Sequence, residues 1–335
     1  MIKRSLYFGN PAYLSTKLDQ LVVRLPEVEK NETLPDGFKK EAQASIPIED
    51  IGLVILDHQQ IIISQALIAK LLENNVAFIT CNSTHHPTGL LLNLEGHSLQ
   101  SQRFQAQVEA TEPLKKQLWQ QTIKAKIRNQ AAVLKLQGHE IENMLHWADN
   151  VKSGDPDNLE SRAAAWYWSK LFQDPKLFTG SEPLTSLLKQ SLDFIRDPAG
   201  LPPNNLLNYA YAILRATVAR SLVGSGLLPT LGIFHRNQYN AYCLADDIME
   251  PYRPYADQMV VQVVMGNEPY GELNPALKKK LLGLPSLDVV IQDEKSPLMV
   301  AVQRTTASLA RCFLGETRKI IYPELAGDGG EEFSN

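Results

Sequence analysis

The spacing of the apolar residues changes once along this chain, near residue 95, and that change limits the folds it can adopt. Before it, short β-prone runs alternate with turn residues, and only the stretch 64–73 has a helical pattern. From Leu99 onward, apolar residues recur at helical spacing. The pattern predicts an α+β fold: a small β-rich N-terminal domain, residues 1–95, followed by a larger all-helical domain, residues 96–322.

The remaining residues and the composition set further limits. Residues 323–335 are rich in glycine and acids, which predicts a disordered tail. No signal peptide follows Met1, and no run of about 18 apolar residues predicts a membrane span. Cys81, Cys243 and Cys312 are isolated, so neither disulfides nor a zinc knuckle are expected. The sequence therefore favours a protein of the reducing cytoplasm.

A histidine in a turn-rich loop precedes a helix that carries three acids. His235 lies in the loop, and Asp246 and Asp247 precede Glu250 by four and three positions, where like charges on a helix repel. A divalent cation is the commonest reason for such a cluster, and simple solvation is the alternative. On one straight helix His235 and Glu250 would be about 22 Å apart. Asn240 is a capping residue that predicts a helix start there, which leaves the loop free to fold back.

A third carboxylate opens another helix. Glu160 could be part of a capping box with Asp157, which is a purely structural role. Alternatively, Glu160, His235 and Glu250 together form an oxygen-rich set with one imidazole. Such a set suits Mg²⁺ or Mn²⁺ better than zinc. If the three side chains meet in the fold, an ion held there could polarise a phosphodiester and activate a hydroxyl group.

The segment 113–139 contains no acidic residue. Because the net charge is −4, a nucleic-acid surface would have to be a local patch of this kind. Lys124, Arg128 and Lys135 follow one flank of its apolar stripe and are the residues we expect to contact a DNA backbone. A solvated helix face is the alternative. The segment's basic residues are Lys115, Lys116, Lys124, Lys126, Arg128 and Lys135.

Other enzyme classes find little support. The chain has no Gly-x-x-x-x-Gly-Lys loop and no Gly-x-Ser-x-Gly elbow, which disfavours nucleotide hydrolysis and serine esterases. A metal hydrolase for small phosphoesters would not need a long acid-free helix. A catalytically silent DNA-binding architectural subunit remains as an alternative to an enzyme, because it would need the basic helix without the acids.

Several segments resemble a known family. They are Leu-Glu-Ser-Arg-Ala-Ala-Ala-Trp-Tyr-Trp (159–168), Pro-Asn-Asn-Leu-Leu-Asn-Tyr-Ala-Tyr (203–211), Phe-His (234–235) and Leu-Ala-Asp-Asp-Ile-Met-Glu-Pro-Tyr-Arg-Pro (244–254). In order and spacing they resemble the CRISPR-associated spacer-acquisition integrase, the first-numbered of the Cas proteins. The version found in type II systems is the most similar, and the resemblance extends from about residue 1 to 320.

The resemblance implies a reaction and a site. The family joins a DNA 3′-hydroxyl to a phosphodiester at the CRISPR repeat and cleaves branched DNA as a side reaction. Glu160, His235 and Glu250 take the metal positions. Some relatives have aspartate in the last helix, so Asp247 is a second candidate and Asp246 a weaker one. Arg162 and Arg253 flank these positions and could hold the scissile phosphate or form salt bridges with neighbouring acids.

The resemblance also implies partners. We expect double-stranded and branched DNA as substrates, and a homodimer formed through the N-terminal half. Two such dimers bracket a dimer of the small second-numbered Cas protein in that family, which gives a hetero-hexamer. The RNA-guided effector nuclease is a further expected partner, and the expected location is the prokaryotic cytoplasm.

Overall fold

Two four-stranded sheets enclose the core of the N-terminal unit. A computed structural model describes residues 3–30, 43–172, 194–266 and 269–325, and the chain divides into the compact units Met1–Ser98 and Leu99–Asn335. The strands of the first unit are β1 Arg4–Phe8, β2 Ala12–Lys17, β3 Gln20–Arg24, β4 Ala44–Pro47, β5 Ile51–Leu56, β6 Ile61–Ile63, β7 Ala77–Cys81 and β8 Pro87–Leu91. Its helices are α1 Pro26–Glu29 and α2 Gln65–Glu73.

The order of the strands follows from their burial. One sheet has the order β1-β5-β7-β8, with β5 parallel to both of its neighbours, and the other has the order β4-β3-β2-β6. Strand β5 is apolar along its length and almost wholly buried, as is typical of a parallel strand covered on both faces. Ser64 caps the N-terminus of helix α2, since its side chain accepts a hydrogen bond from the Leu67 amide. The helix buries Leu67 and Leu71 in the same core.

The second unit is mainly helical. Its helices are α3 Gln100–Glu109, α4 Glu112–Leu136, α5 Glu142–Asn150, α6 Leu159–Leu171, α7 Asn204–Gly224, α8 Cys243–Met249, α9 Arg253–Met265, α10 Pro275–Leu281 and α11 Leu298–Phe313. Helix α4 packs against α5, α6 and α9 and against the 3-10 turn Glu250–Tyr252 that links α8 to α9. The predicted stripe on α4 is buried from Trp119 to Leu134. No helix in the described part of the chain is long and apolar enough to cross a membrane.

The α+β class is confirmed, with one addition to the helical unit. An antiparallel hairpin of β9 Asp288–Ile291 and β10 Glu294–Pro297 lies between α10 and α11, where an all-helical domain was expected. Residues 323–325, assigned from sequence to the tail, pack onto this unit. The Glu324 amide donates to the Val290 carbonyl, and the Leu325 amide donates to Oδ1 of Asn129. The rest of the predicted tail lies outside the described residues.

Candidate active site

Glu160 occupies the first turn of α6, and a different acid from the expected one caps that helix. Asp155 accepts hydrogen bonds from the Leu159 amide (3.0 Å) and the Glu160 amide (2.9 Å). Asp157, the predicted capping residue, instead pairs with Lys152 at 2.7 Å. The capping-box interpretation is therefore wrong, because the loop turns back before Asn158 and places Asp155 over the helix end. The Glu160 carboxylate is left free to reach α4.

Aromatic packing positions the His235 loop. Phe234 stacks on the buried ring of Trp119 in α4, with ring centroids 4.2 Å apart and planes nearly parallel. The His235 ring meets the same Trp119 edge-on at 5.6 Å. Helix α8 begins at Cys243 rather than near Asn240, because Asn240 accepts from the Tyr242 amide and so caps a turn before the helix. The loop thus folds back onto α4, which the sequence had left possible.

Asp247 holds the imidazole of His235. This fully buried aspartate accepts from the Phe234 amide (2.9 Å), the His235 amide (3.3 Å) and Nδ1 of His235 (2.5 Å). The hydrogen bond to Asp247 raises the pKa of His235 despite its partial burial, and the charges of Glu250 and Glu160 act in the same direction. Both glutamates are therefore close enough to His235 to influence its charge.

Glu250 begins the 3-10 turn after α8 and is 5% exposed. Its Oε1 lies 3.1 Å from Nη2 of Arg253, and its Oε2 lies 2.7 Å from Nζ of Lys126. The same Nζ lies 2.6 Å from Oε1 of Glu160. Burial alone raises the pKa of Glu250, but the charges of Arg253 and Lys126 outweigh it and the pKa is lowered. Burial lowers the pKa of Lys126, yet the two glutamates raise it overall.

The predicted trio is therefore brought together from three segments. Glu160 and Glu250 converge on one ammonium group, and both act on the charge of His235. As these side chains stand, no three histidine, cysteine or acidic groups of the described residues are arranged to hold an ion. The space between the two glutamates is taken by Nζ of Lys126.

The donor atoms nevertheless fit a hard divalent cation. Oε2 of Glu250 is buried, and its contact with Lys126 lacks hydrogen-bond geometry, so it has no hydrogen-bond partner. Nδ1 of His235 is engaged by Asp247, which leaves Nε2 without a partner among the residues that the structure describes. Two carboxylates and one imidazole, with a carboxylate behind the imidazole, are a donor set that suits Mg²⁺ or Mn²⁺. Asp247 is occupied by the His235 loop and stands behind the ring.

The other predicted acid is held elsewhere. Asp246 receives Nε of Arg215 at 2.7 Å and Nη2 at 3.1 Å, and it also accepts from Nδ2 of Asn240 at 2.7 Å. These contacts fix the start of α8 against α7. Both oxygens of the Asp246 carboxylate are therefore engaged by Arg215 and Asn240.

The predicted DNA-contacting residues have varied surroundings. Arg128 pairs with Asp149 at 2.8 Å, and Lys124 donates to the Asp149 carbonyl at 3.2 Å. Arg162 is exposed and lies over the Trp147 ring, with no acidic partner among the described residues. Arg253 forms the salt bridge that was its alternative role and also lies over a tyrosine ring. Lys135 is exposed in the last turn of α4.

Sequence reasoning missed the role of Lys126. This lysine is 8% exposed and belongs to the face of α4 that carries Trp119 and Ile123, not to a solvated flank. Its spacing contained the signal, because positions 119, 123 and 126 share one side of a helix. A lysine on a buried stripe requires carboxylate partners. Here they come from residues 34 and 124 positions away along the chain.

At the level of the fold, the chain is similar to two solved structures. It matches a casposase solved bound to its integration product, with a TM-score of 0.74, 19% identity, and coverage of 99% of this chain and 97% of the other. It also matches a Cas1 protein from Thermotoga maritima, with a TM-score of 0.68, 14% identity, and coverage of 98% and 100%. At these identities the likeness shows the fold.

Sequence comparison then gives the family. The family model described as "CRISPR associated protein Cas1" matches residues 7–269. The CRISPR-associated endonuclease Cas1 of Neisseria meningitidis is 31% identical over 310 residues, 92% of this chain and 91% of that protein. A second relative of the same name, from Saccharolobus solfataricus, is 26% identical over 76% of this chain and 72% of its own length. The chain belongs to the Cas1 family, which confirms the family predicted from its motifs.

Proposed function

We propose that this protein is a divalent-metal-dependent DNA integrase with a related nuclease activity, and that it inserts short DNA fragments into a CRISPR array. One observation carries the proposal: two carboxylates and an imidazole from three separate segments converge, with a buried aspartate behind the imidazole. The names of similar proteins support it, since one relative is called a CRISPR-associated endonuclease and a structural neighbour was solved with an integration product.

Each residue then has a defined task. Glu160, Glu250 and the imidazole of His235 would hold Mg²⁺ or Mn²⁺, which when bound would supply Lewis-acid activation of the phosphodiester and of the attacking 3′-hydroxyl. Asp247 fixes the ring so that Nε2, not Nδ1, faces the site. Arg162 and Arg253 orient the scissile phosphate. Strand transfer conserves the phosphodiester, so the reaction requires no nucleotide cofactor.

Further residues and partners belong to the same proposal. Lys124, Arg128 and Lys135 bind the DNA backbone without sequence preference.

The protein forms a homodimer, and two homodimers assemble around a dimer of the small Cas2 protein. A solved Cas6-RT-Cas1–Cas2 complex shares this fold, with a TM-score of 0.68 and 18% identity over 97% of this chain and 36% of that one. The RNA-guided effector nuclease is a further partner. Light scattering of this protein with and without Cas2 tests the assembly.

Cleavage and strand transfer test the chemistry. We expect purified protein with Mn²⁺ to cut branched DNA and to join a 3′-hydroxyl to a repeat. Glu160→Gln and His235→Ala should lose at least a hundredfold of both activities, because each removes a donor. Glu112→Gln is the control, since that acid pairs with Arg236 on the surface. Full activity in both site variants would contradict the proposal.

One observation favours a second candidate function, an architectural DNA-binding subunit without catalysis. The ammonium of Lys126 lies between the two glutamates, as it would if those acids served only to hold a lysine. In that case DNA binding should be the same with EDTA or Mn²⁺. No product should form with wild-type protein, even together with Cas2.

A further inference from the structure

The ammonium of Lys126 occupies the central position of the site. Its Nζ lies 2.6 Å from Oε1 of Glu160 and 2.7 Å from Oε2 of Glu250. The lysine side chain is 10% exposed and that of Glu250 only 6%. Lys126 is thus the group that joins the first turn of α6 to the turn after α8.

A positive charge is needed between Glu160 and Glu250 when no metal ion is bound there. Two carboxylates that face each other in a buried site repel, and an unpaired buried charge is strongly destabilising. Arg253 also offsets the charge of Glu250, with Nη2 3.1 Å from Oε1, but it is Lys126 that contacts both glutamates. Lys126 therefore keeps the pair of acids at a separation that one cation can bridge.

The same space is the one a divalent cation needs. Mg²⁺ binds carboxylate oxygens at about 2.0–2.1 Å, so an ion shared by Glu160 and Glu250 must lie between the oxygens that Nζ now contacts. The ammonium and the ion cannot occupy that space together, and their like charges repel. The long flexible stem of a lysine allows it to leave.

We propose that Lys126 is an internal counter-cation that holds Glu160 and Glu250 in place and is displaced when the divalent ion binds. This inference rests on the proposed function for the ion itself. Lys126 acts as a positioning residue, and it sets the metal concentration at which the site loads. The turn that carries Glu250 has a second anchor on α4, because Asn129, one turn further along, donates to the Pro251 carbonyl at 2.8 Å.

Thermal melting against Mn²⁺ concentration tests the exchange. Lys126→Met keeps an unbranched side chain, one atom shorter, and removes the charge. In EDTA this variant should melt at a lower temperature than wild type, because the carboxylates lose their partner. The Mn²⁺ concentration that gives half of the maximal rise in melting temperature should be at least tenfold lower for this variant than for wild type, since no ammonium competes. Lys116→Met, an exposed position on the same helix, should respond as wild type does.

The results can distinguish a failure of the proposed exchange from a failure of the proposed function. If wild type and Lys126→Met both respond at the same Mn²⁺ concentration, the ion is bound but the exchange is wrong. If neither responds, the metal is wrong and the proposed function falls with it. A weaker response in Lys126→Met would make the lysine a support of the metal rather than its competitor, and would also overturn the inference.

A second measurement uses wild-type protein and does not depend on the folding of a variant. Amine acetylation followed by mass spectrometry compares each lysine in EDTA and in Mn²⁺. We expect Mn²⁺ to increase the labelling rate of Lys126 severalfold and to leave that of Lys116 unchanged. An unchanged Lys126 rate, at a concentration that saturates the thermal response, would overturn the exchange.

Discussion

At the scale of single residues, the ring of His235 is fixed from two sides. Trp119 meets the ring edge-on, and Asp247 accepts its Nδ1–H as well as two loop amides. A buried carboxylate with three donors orients the loop and raises the pKa of the histidine. The side chain of Asp247 therefore determines which ring nitrogen faces the site and how strongly that ring holds a proton.

Replacing Asp247 should change the titration of His235. In Asp247→Asn, the pKa of His235 should fall, because the variant loses the charge and the strong hydrogen bond that raise it; NMR titration of the ring protons measures this. In wild type the raised pKa adds stability below the ordinary histidine value of about 6.5, and this stability is lost as the pH rises through the folded value. The difference in melting temperature between wild type and Asp247→Asn should therefore narrow as the pH rises over this range.

A neighbouring acid provides the control for this titration. Asp246→Asn also removes one buried carboxylate of α8, but that carboxylate is held by Arg215 and Asn240. In Asp246→Asn, the pKa of His235 should stay close to its wild-type value. An equal fall in both variants would mean that the general charge of α8, and not the direct contact with Asp247, controls the ring.

A second single-residue prediction concerns the cap of α6. Asp155→Ala should cost about 1–2 kcal/mol, since it removes the acceptor of two amide hydrogen bonds. Asp157→Ala should cost about 0–1 kcal/mol, because its pair with Lys152 is exposed. Chemical denaturation of the two variants measures the difference. A larger cost at Asp157 would restore the capping box predicted from the sequence.

At the scale of elements, α4 organises the site, and it shows how far sequence reasoning reached. Its apolar stripe and the absence of acids from residue 113 onward were visible in the sequence. What this helix faces was not visible, because its partners come from other elements: Lys126 meets Glu160 and Glu250, and Arg128 meets Asp149. Local periodicity predicts which face is buried. It does not predict which charge from a distant segment is buried against it.

The hairpin after α10 was missed for a related reason. Strands β9 and β10 have only four residues each, and the turn between them places Gln292 and Asp293 at positive φ without a glycine. Residues other than glycine seldom adopt a positive φ. A two-residue hairpin turn usually contains glycine, so this sequence lacks the usual hairpin signal. The strands of the N-terminal unit were predictable because their apolar runs are bounded by clear turn residues.

A buried network behind the site links three helices. Asp257 of α9 accepts hydrogen bonds from Tyr167 of α6 (2.9 Å) and Tyr211 of α7 (2.5 Å). Burial raises its pKa to about 6. Because the folded value lies above the ordinary 3.8, the folded state prefers the protonated acid, and stability should fall as the pH rises from about 4 to 6.

Asp257→Asn should remove this pH dependence, since an amide resembles the protonated acid. The shift corresponds to about 3 kcal/mol as an order of magnitude. The melting temperature of the variant relative to wild type should therefore rise between pH 4.5 and 7. A difference that stays constant or decreases over this range would show that the ionised acid is tolerated in the network.

At the scale of the whole molecule, the proposed DNA binding has to be local because the chain carries a net charge of −4. Many basic groups of the helical unit are already paired: Arg215 with Asp246, Arg304 with Glu294 and Arg311 with Glu316. Arg128 and Lys124 also contact Asp149, but the Arg128 side chain is 54% exposed. An exposed pair is worth about 0–1 kcal/mol, so a DNA phosphate can replace the carboxylate at little cost.

The salt dependence of binding can distinguish a phosphate contact from a surface ion pair. Removing one phosphate contact reduces the slope of log affinity against log salt by about 0.9, so Lys124→Gln with Arg128→Gln should reduce it by about 2. Arg304→Gln, which removes a paired arginine of α11, should leave the slope unchanged. Fluorescence anisotropy from about 50 to 300 mM salt measures all three proteins on the same branched DNA. An unchanged slope in the double variant would mean that these two residues serve only Asp149, and that the DNA backbone follows another face.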